Sequence, residues 1–239
     1  NAELDKRQIH HVQQIRQSGE RLLKMVDSIL HYTALVAGRV AITSEPCRLI
    51  ELAALRMRAV RAEAEARGLK LMLTVEPADV EIVSDANGVI QVLDNLLDNA
   101  IKFTPAGGTI GVEITADPET KIVQIAVWDT GIGISPERQE SIFKPFGQIE
   151  HGISREYWGV GLGLPYARQM VKLLGGAIGV ESAVGHGSRF VVTLPRDGND
   201  AMDESAWIQG RANLITGNYR RESVDEHIAR IRDERSEAR

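Results

Sequence analysis

The segment DNLLDNAIKFT (residues 94–104) sets two amides and an ammonium where one ligand could meet all three. At about 100° of rotation per helical residue, Asn95, Asn99 and Lys102 fall within about 60° of one another. They border an apolar half-wheel made by Val89, Val92, Leu93, Leu96, Leu97, Ala100 and Ile101. Asn99 offers Mg²⁺ a neutral oxygen ligand, and Lys102 offers phosphate a point charge. A solvated polar face would be written in much the same letters, so this cluster decides nothing alone.

Two further segments have chemical potential. In AVWDTGIGI (126–134) an alternating run leads straight into Asp129, Gly131 and Gly133. The carboxylate can accept a hydrogen bond from an exocyclic amino group such as that of adenine, and the glycines let a ligand approach the backbone. A plain Asp-Thr-Gly turn is the competing reading. In WGVGLGLPYARQM (158–170), Gly159, Gly161 and Gly163 precede a helix whose first turn accommodates Pro165. Exposed N–H groups at such a start suit phosphate. This run does not follow a parallel strand in a βαβ unit, so it does not fit the dinucleotide-binding fingerprint.

These residues need elements to hold them. Helices are predicted at about 49–67, stopped by Gly68, at about 87–103, stopped before Pro105, and from Gly163 to Leu174. Strands are predicted at 69–76, 80–84, 109–115, 121–128, 177–182 and 189–194, with 109–115 and 121–128 as a hairpin. Runs of strands and helices of this kind give an α+β sandwich, a mostly antiparallel sheet with helices on one face.

Upstream, Val12, Ile15, Gly19, Leu22, Val26 and Ile29 step by threes and fours, a narrow seam that one helix cannot bury by itself. A helical hairpin or bundle is expected there, with packing on the chain's own domain as the alternative. Gly38 and residues 40–42 mark the exit into the second domain. Residues 197–239 are polar and charged, apart from a thin stripe of Val224, Ile228 and Ile231, and read as a solvated tail. The expected division is therefore 1–38, 39–196 and 197–239.

Composition bounds the function. A net charge of −5 argues against a general nucleic-acid binder. One cysteine, Cys47, excludes an internal disulfide and suits a reducing compartment. No run approaches eighteen uncharged apolar residues, so this stretch is expected to be cytoplasmic and to make no membrane contact.

Combination adds what the separate segments lack. The Asn/Lys helix, the Asp129-Thr-Gly-x-Gly turn, FKPF at Phe143–Phe146, the Gly-rich helix start and a GHGS turn at Gly185–Ser188 follow one another in this order. The series resembles the catalytic ATP-binding domain of sensor histidine kinases, and residues 15–40 resemble the second helix of that family's dimerisation and phosphotransfer hairpin. The resemblance spans about residues 8–195. It implies a Bergerat-type α/β sandwich preceded by a helical-hairpin dimerisation segment, with ATP and Mg²⁺ as cofactors.

By that resemblance Asn99 holds Mg²⁺, Asn95 is the other polar position of its motif, Lys102 contacts phosphate and Asp129 reads adenine. Gly131, Gly133, Gly159, Gly161, Leu162 and Gly163 shape the pocket and its lid. Phe143 and Ser188 belong to the flanking motifs. Arg155 is directed at the phosphates from a lid spanning about 147–160. The implied reaction moves the γ-phosphoryl group of ATP to a histidine and on to an aspartate of a response regulator, in a homodimer.

Two departures stand out: Trp158 where relatives often carry Gly, and Gly88 where an Arg is common. None of the six histidines is followed by Asp or Glu, and His10, His11 and His31 lie on the wrong helix to be the acceptor. The acceptor is expected on a helix preceding this chain. A degenerate, non-catalytic scaffold is one rival. An ATPase of the gyrase, Hsp90 and MutL kind is the other; gyrase places a carboxylate four residues before its metal Asn, where this chain has Asn95, a poor base.

Overall fold

The computed structural model describes residues 6–77, 80–117, 121–147, 161–198 and 222–223. Helix α1 (Lys6–Val36) leads to strand β1 (Glu45–Arg48), α2 (Leu49–Ala66), β2 (Lys70–Glu76), β3 (Glu81–Ser84) and α3 (Ala86–Phe103). The hairpin β4 (Thr109–Asp117) and β5 (Ile122–Asp129) follows, then two 3-10 turns at Pro136–Arg138 and Ser141–Phe143. The chain continues through α4 (Gly163–Leu173), β6 (Ala177–Ser182), β7 (Ser188–Pro195) and β8 (Glu222–Ser223).

The main sheet runs β6-β7-β5-β4-β2-β8, antiparallel at every step except β2–β4, which is parallel in the register Lys70↔Thr109 to Glu76↔Thr115. One face of it is apolar, with Leu73, Ile110, Val112, Ile114, Val123, Ile125, Val127, Phe190, Val192 and Leu194 all buried. Against that face lie α2, α3 and α4, whose buried positions join the same cluster. This is the expected helix-on-one-face α+β sandwich.

Local signals explain where the helices stop. Asp85 caps α3, its side chain accepting from the Gly88 amide at 2.7 Å, and Thr104 closes the other end by donating to the Ala100 carbonyl at 2.6 Å. Gly68, at φ +67°, ends α2 and lets the Leu69 amide reach back to the Ala64 carbonyl at 2.9 Å. The seven apolar positions expected on α3 are all buried. At about 2 kcal/mol per large side chain, that stripe holds the polar edge of α3 in a fixed rotation.

Two features differ from the sequence reading, and a third bears on it. Glu45–Arg48 forms a strand that the pattern hid, because only Cys47 is buried in it, and it pairs with β3 in a separate two-stranded sheet. Glu222–Ser223, in the segment read as a solvated tail, adds to the outer edge of β2. The rest of that tail, with Val224, Ile228 and Ile231, lies outside the described residues. Gly88 packs beneath the far end of α4, where an added β-carbon would come 3.1 Å from Leu174 Cδ2 and 3.2 Å from Met170 Sδ. A side chain at this position, the site of one of the two departures noted above, would require Leu174 and Met170 to shift.

Helix α1 ends at Gly38 (φ +66°) and is anchored by Leu35, 3% exposed. The rest of its seam stays in solvent: Ile15 is 71% exposed and Leu22 62%, and Val12, Val26 and Ile29 are exposed as well. The stripe is therefore not packed on the chain's own domain. Among the described residues no helix is long and apolar enough to cross a membrane.

Candidate functional site

The site is built around α3. Its polar edge is ordered by a ladder along the helix: the Asn95 side-chain amide donates to the Gln91 carbonyl at 2.8 Å, and that of Asn99 donates to the Asn95 carbonyl at 2.9 Å. With the NH₂ groups so committed, each asparagine keeps its Oδ1 as the acceptor left for a ligand. Lys102, one turn on, lies 4.9 Å above the Phe103 ring and forms no ion pair among the described residues. Burial lowers its pKa, so its ammonium is a partly desolvated cation.

At the C-terminal end of α3 stands the Asp129 turn. The Ile132 amide donates to the Phe103 carbonyl at 3.2 Å, and the Thr130 amide to the Thr109 carbonyl at 3.0 Å. Asp129 is 8% exposed. Its Oδ1 accepts from the Gly131 amide at 2.7 Å. Burial is the main influence and raises its pKa, opposed by the backbone N–H groups of Gly131 and Ser188. The glycines here are steric necessities. A β-carbon at 131 would lie 2.3 Å from the Phe103 carbonyl oxygen, and one at Gly133 (φ +69°) 1.9 Å from that of Ala183.

The Gly185–Ser188 turn closes the other side. Ser188 pairs with Asp129 in the β5–β7 register. Ser182 joins the two turns: its hydroxyl donates to the Gly187 carbonyl at 2.7 Å, accepts from the Ile134 amide at 2.8 Å and meets the Ser188 hydroxyl at 3.0 Å. Since the Ser182 proton is spent on Gly187, the Ser188 hydroxyl is the donor in that last contact. Phe143 is buried edge-on against Phe190, with centroids 6.4 Å apart, and Arg168 of α4 lies 5.6 Å over its ring. It thus anchors the Ser141–Phe143 turn in the core.

The start of α4 meets the middle of α3. A β-carbon on Gly163 would come 2.9 Å from Asn95 Oδ1 and 3.8 Å from Asn99 Nδ2. Leu162 is buried beneath this turn, and Gly161 has φ +70°. So the structure brings Asn95, Asn99, Lys102, Asp129, Gly131, Gly133, Leu162, Gly163 and Ser188 around one helix. Arg155, Trp158 and Gly159 lie outside the described residues. Sequence reasoning missed Ser182, Gln91 and Tyr166, whose hydroxyl donates to Gln91 Oε1; contacts between distant polar side chains leave no periodic trace.

The donor set can be tested against Mg²⁺. Among the described residues no group of three or more His, Cys, Asp or Glu could cage a metal. A neutral Asn99 oxygen beside a glycine helix start fits an ion that takes few protein ligands and completes its shell with phosphate and water.

Comparison with known proteins agrees. Residues 84–198 match the family described as histidine kinase-, DNA gyrase B-, and HSP90-like ATPase. An uncharacterised sensor-like histidine kinase of Rhizobium meliloti (strain 1021) is 36% identical over 82% of this chain and 37% of its own length. The circadian input-output histidine kinase CikA of Synechococcus elongatus is 37% identical over 80% of this chain and 26% of its own. The crystal structure of full-length ShkA in complex with AMPPNP superposes with a TM-score of 0.72 and 29% identity, over 84% of this chain and 41% of that one. The chain thus spans about a quarter to two fifths of these proteins. With its Bergerat-type α+β fold and the expected site residues gathered around one helix, the chain carries a catalytic ATPase domain of the sensor histidine kinase type.

Proposed function

We propose that the chain binds Mg²⁺-ATP between α3, the Asp129 turn and the start of α4, and that it supplies the kinase half of a histidine-to-aspartate phosphorelay. The supporting observation is that one helix has a buried carboxylate's turn at its C-terminal end, a partly desolvated ammonium near that end and a glycine helix start against its middle. Asp129 accepts the adenine amino group. Asn99 holds Mg²⁺, with Asn95 beside it. Lys102, and Arg155 from outside the described residues, offset phosphate charge, and the N–H groups at Gly161–Gly163 face the same anion. The metal, when bound, supplies charge neutralisation on the phosphates.

The protein's part in such a transfer is to position and to neutralise. The receiving histidine is carried by a helix that pairs with the exposed seam of α1 in a homodimer; a response-regulator aspartate is the next acceptor. Asn95, with its amide tied to Gln91, is no base for water, which favours transfer over hydrolysis. Isothermal titration with Mg²⁺-ATP tests the reading. Nucleotide uptake is expected, with no acid-labile phosphate formed on this chain alone. Failure to bind, or phosphorylation of the chain by itself, would overturn it.

A further inference from the structure

Helix α4 runs antiparallel along α3. The first turn of α3 meets the end of α4 at Gly88, beneath Met170 and Leu174, while Asn95, two turns later, meets the opening residue of α4, Gly163. Both contacts are close approaches at glycine. Between them the Tyr166 hydroxyl, in the first turn of α4, donates to the Oε1 of Gln91. Gln91 also stands at the head of the ladder that orients the asparagines, through its backbone carbonyl, which accepts from the Asn95 side chain, while the Asn95 backbone carbonyl accepts from Asn99. Burial pushes the Tyr166 phenol up, so the hydroxyl keeps the proton it donates.

The partners on either side are apolar. Pro165 and Ala167 are buried in α4, as are Val92 and Leu93 in α3. Apolar packing of this kind fixes the distance between two helices better than their rotation, because it has no direction of its own. A directional bond at Tyr166 fixes the rotation. Gly163 lies three residues earlier, so a small roll of α4 would change the gap to Asn95 Oδ1.

We propose that Tyr166 and Gln91 form a latch that holds the first turn of α4 against Asn95 and Asn99, making Tyr166 a positioning residue for the phosphate end of the nucleotide. This rests on the nucleotide reading above. Its reach is local: Gln91 lies about 18 Å along the helix axis from Phe103, at 1.5 Å per residue, and the adenine-reading turn sits on Phe103. The latch therefore acts on phosphate binding and leaves adenine recognition alone.

The experiment is calorimetric binding of Mg²⁺-ATP and, separately, of adenosine to the unmodified chain and to Tyr166→Phe, Gln91→Ala, Gln91→Glu and the Phe/Ala double variant. Loss of one net hydrogen bond predicts about a fivefold weaker ATP affinity in each of the first two. The double variant is expected to be no weaker than the singles, because both remove the same bond. Gln91→Glu keeps an acceptor and retains ATP affinity, and adenosine binding is unchanged throughout. A general loosening of the fold would weaken both ligands together. Unchanged ATP affinity in the Phe variant, parallel loss of adenosine, or additive losses in the double variant each overturn the latch. An unmodified chain that binds neither ligand would sink the nucleotide reading and the latch with it.

Discussion

A β-carbon on Gly187 would stand 1.9 Å from the carbonyl oxygen of Asp129, so the last turn of the domain lies directly against the strand end that carries the buried carboxylate. Gly187 also has φ +79°. Gly187→Ala meets both a clash and a left-handed backbone, and is expected to cost about 2 kcal/mol or more. Urea denaturation measures it; a midpoint equal to that of the unmodified chain would refute the packing described.

Asp129→Asn keeps the shape and an oxygen for the Gly131 amide, but it removes the charge that an amino group would meet. A hydrogen bond to a charged partner contributes roughly 1.5–3 kcal/mol, so ATP affinity is expected to fall about tenfold to a hundredfold. The melting temperature should hold or rise slightly, since burial disfavours the carboxylate. Calorimetric titration and a thermal scan on one sample check both halves.

The same residue predicts opposite signs for two pH profiles. Burial raises the folded-state pKa of Asp129 above its ordinary 3.8. Recognition of an amino group needs the ionised form, so affinity is lost as pH falls through the raised value, earlier than an exposed aspartate would allow. Between 3.8 and the raised value the folded state holds more protons than the unfolded one, and Asp129's contribution to stability therefore decreases as pH rises through that window. Asp129→Asn should abolish this residue's share in both profiles. Profiles that match between the two proteins would remove Asp129 from the site.

Asn99→Ala deletes the proposed metal oxygen and leaves the apolar stripe of α3 intact. ATP affinity in Mg²⁺ should drop to about the level the unmodified chain shows in EDTA, and the variant should no longer respond to EDTA. A variant that still gains affinity from Mg²⁺ would place the ion elsewhere.

How much of this could be read from the sequence depended on whether the information was local. The α3 stripe repeats at the helical period and stops before Pro105, so its buried side and its C-terminal end were legible. The positions of Asn95, Asn99 and Lys102 along one edge of α3, and of Asp129 at a strand end, were legible for the same reason, as side chains at fixed offsets on predictable elements. Partnership was not. Residues 45–48 show no alternation and become a strand only because β3 lies beside them. The parallel choice of β2 for β4 is invisible in either segment alone. Tyr166 and Gln91 find each other only once α4 has folded back on α3.

That parallel pairing has a kinetic consequence. Antiparallel β4 and β5 can zip up from their own short turn, whereas β2 reaches β4 only after β3 and α3 have been looped between them. Loop closure must come before any ladder bond rewards it. The helix that carries the asparagines and Lys102 is that very loop. Its final seating is thus expected among the later events of folding, after the hairpin has formed, and a chain stalled before it would own most of a sheet and no binding cleft.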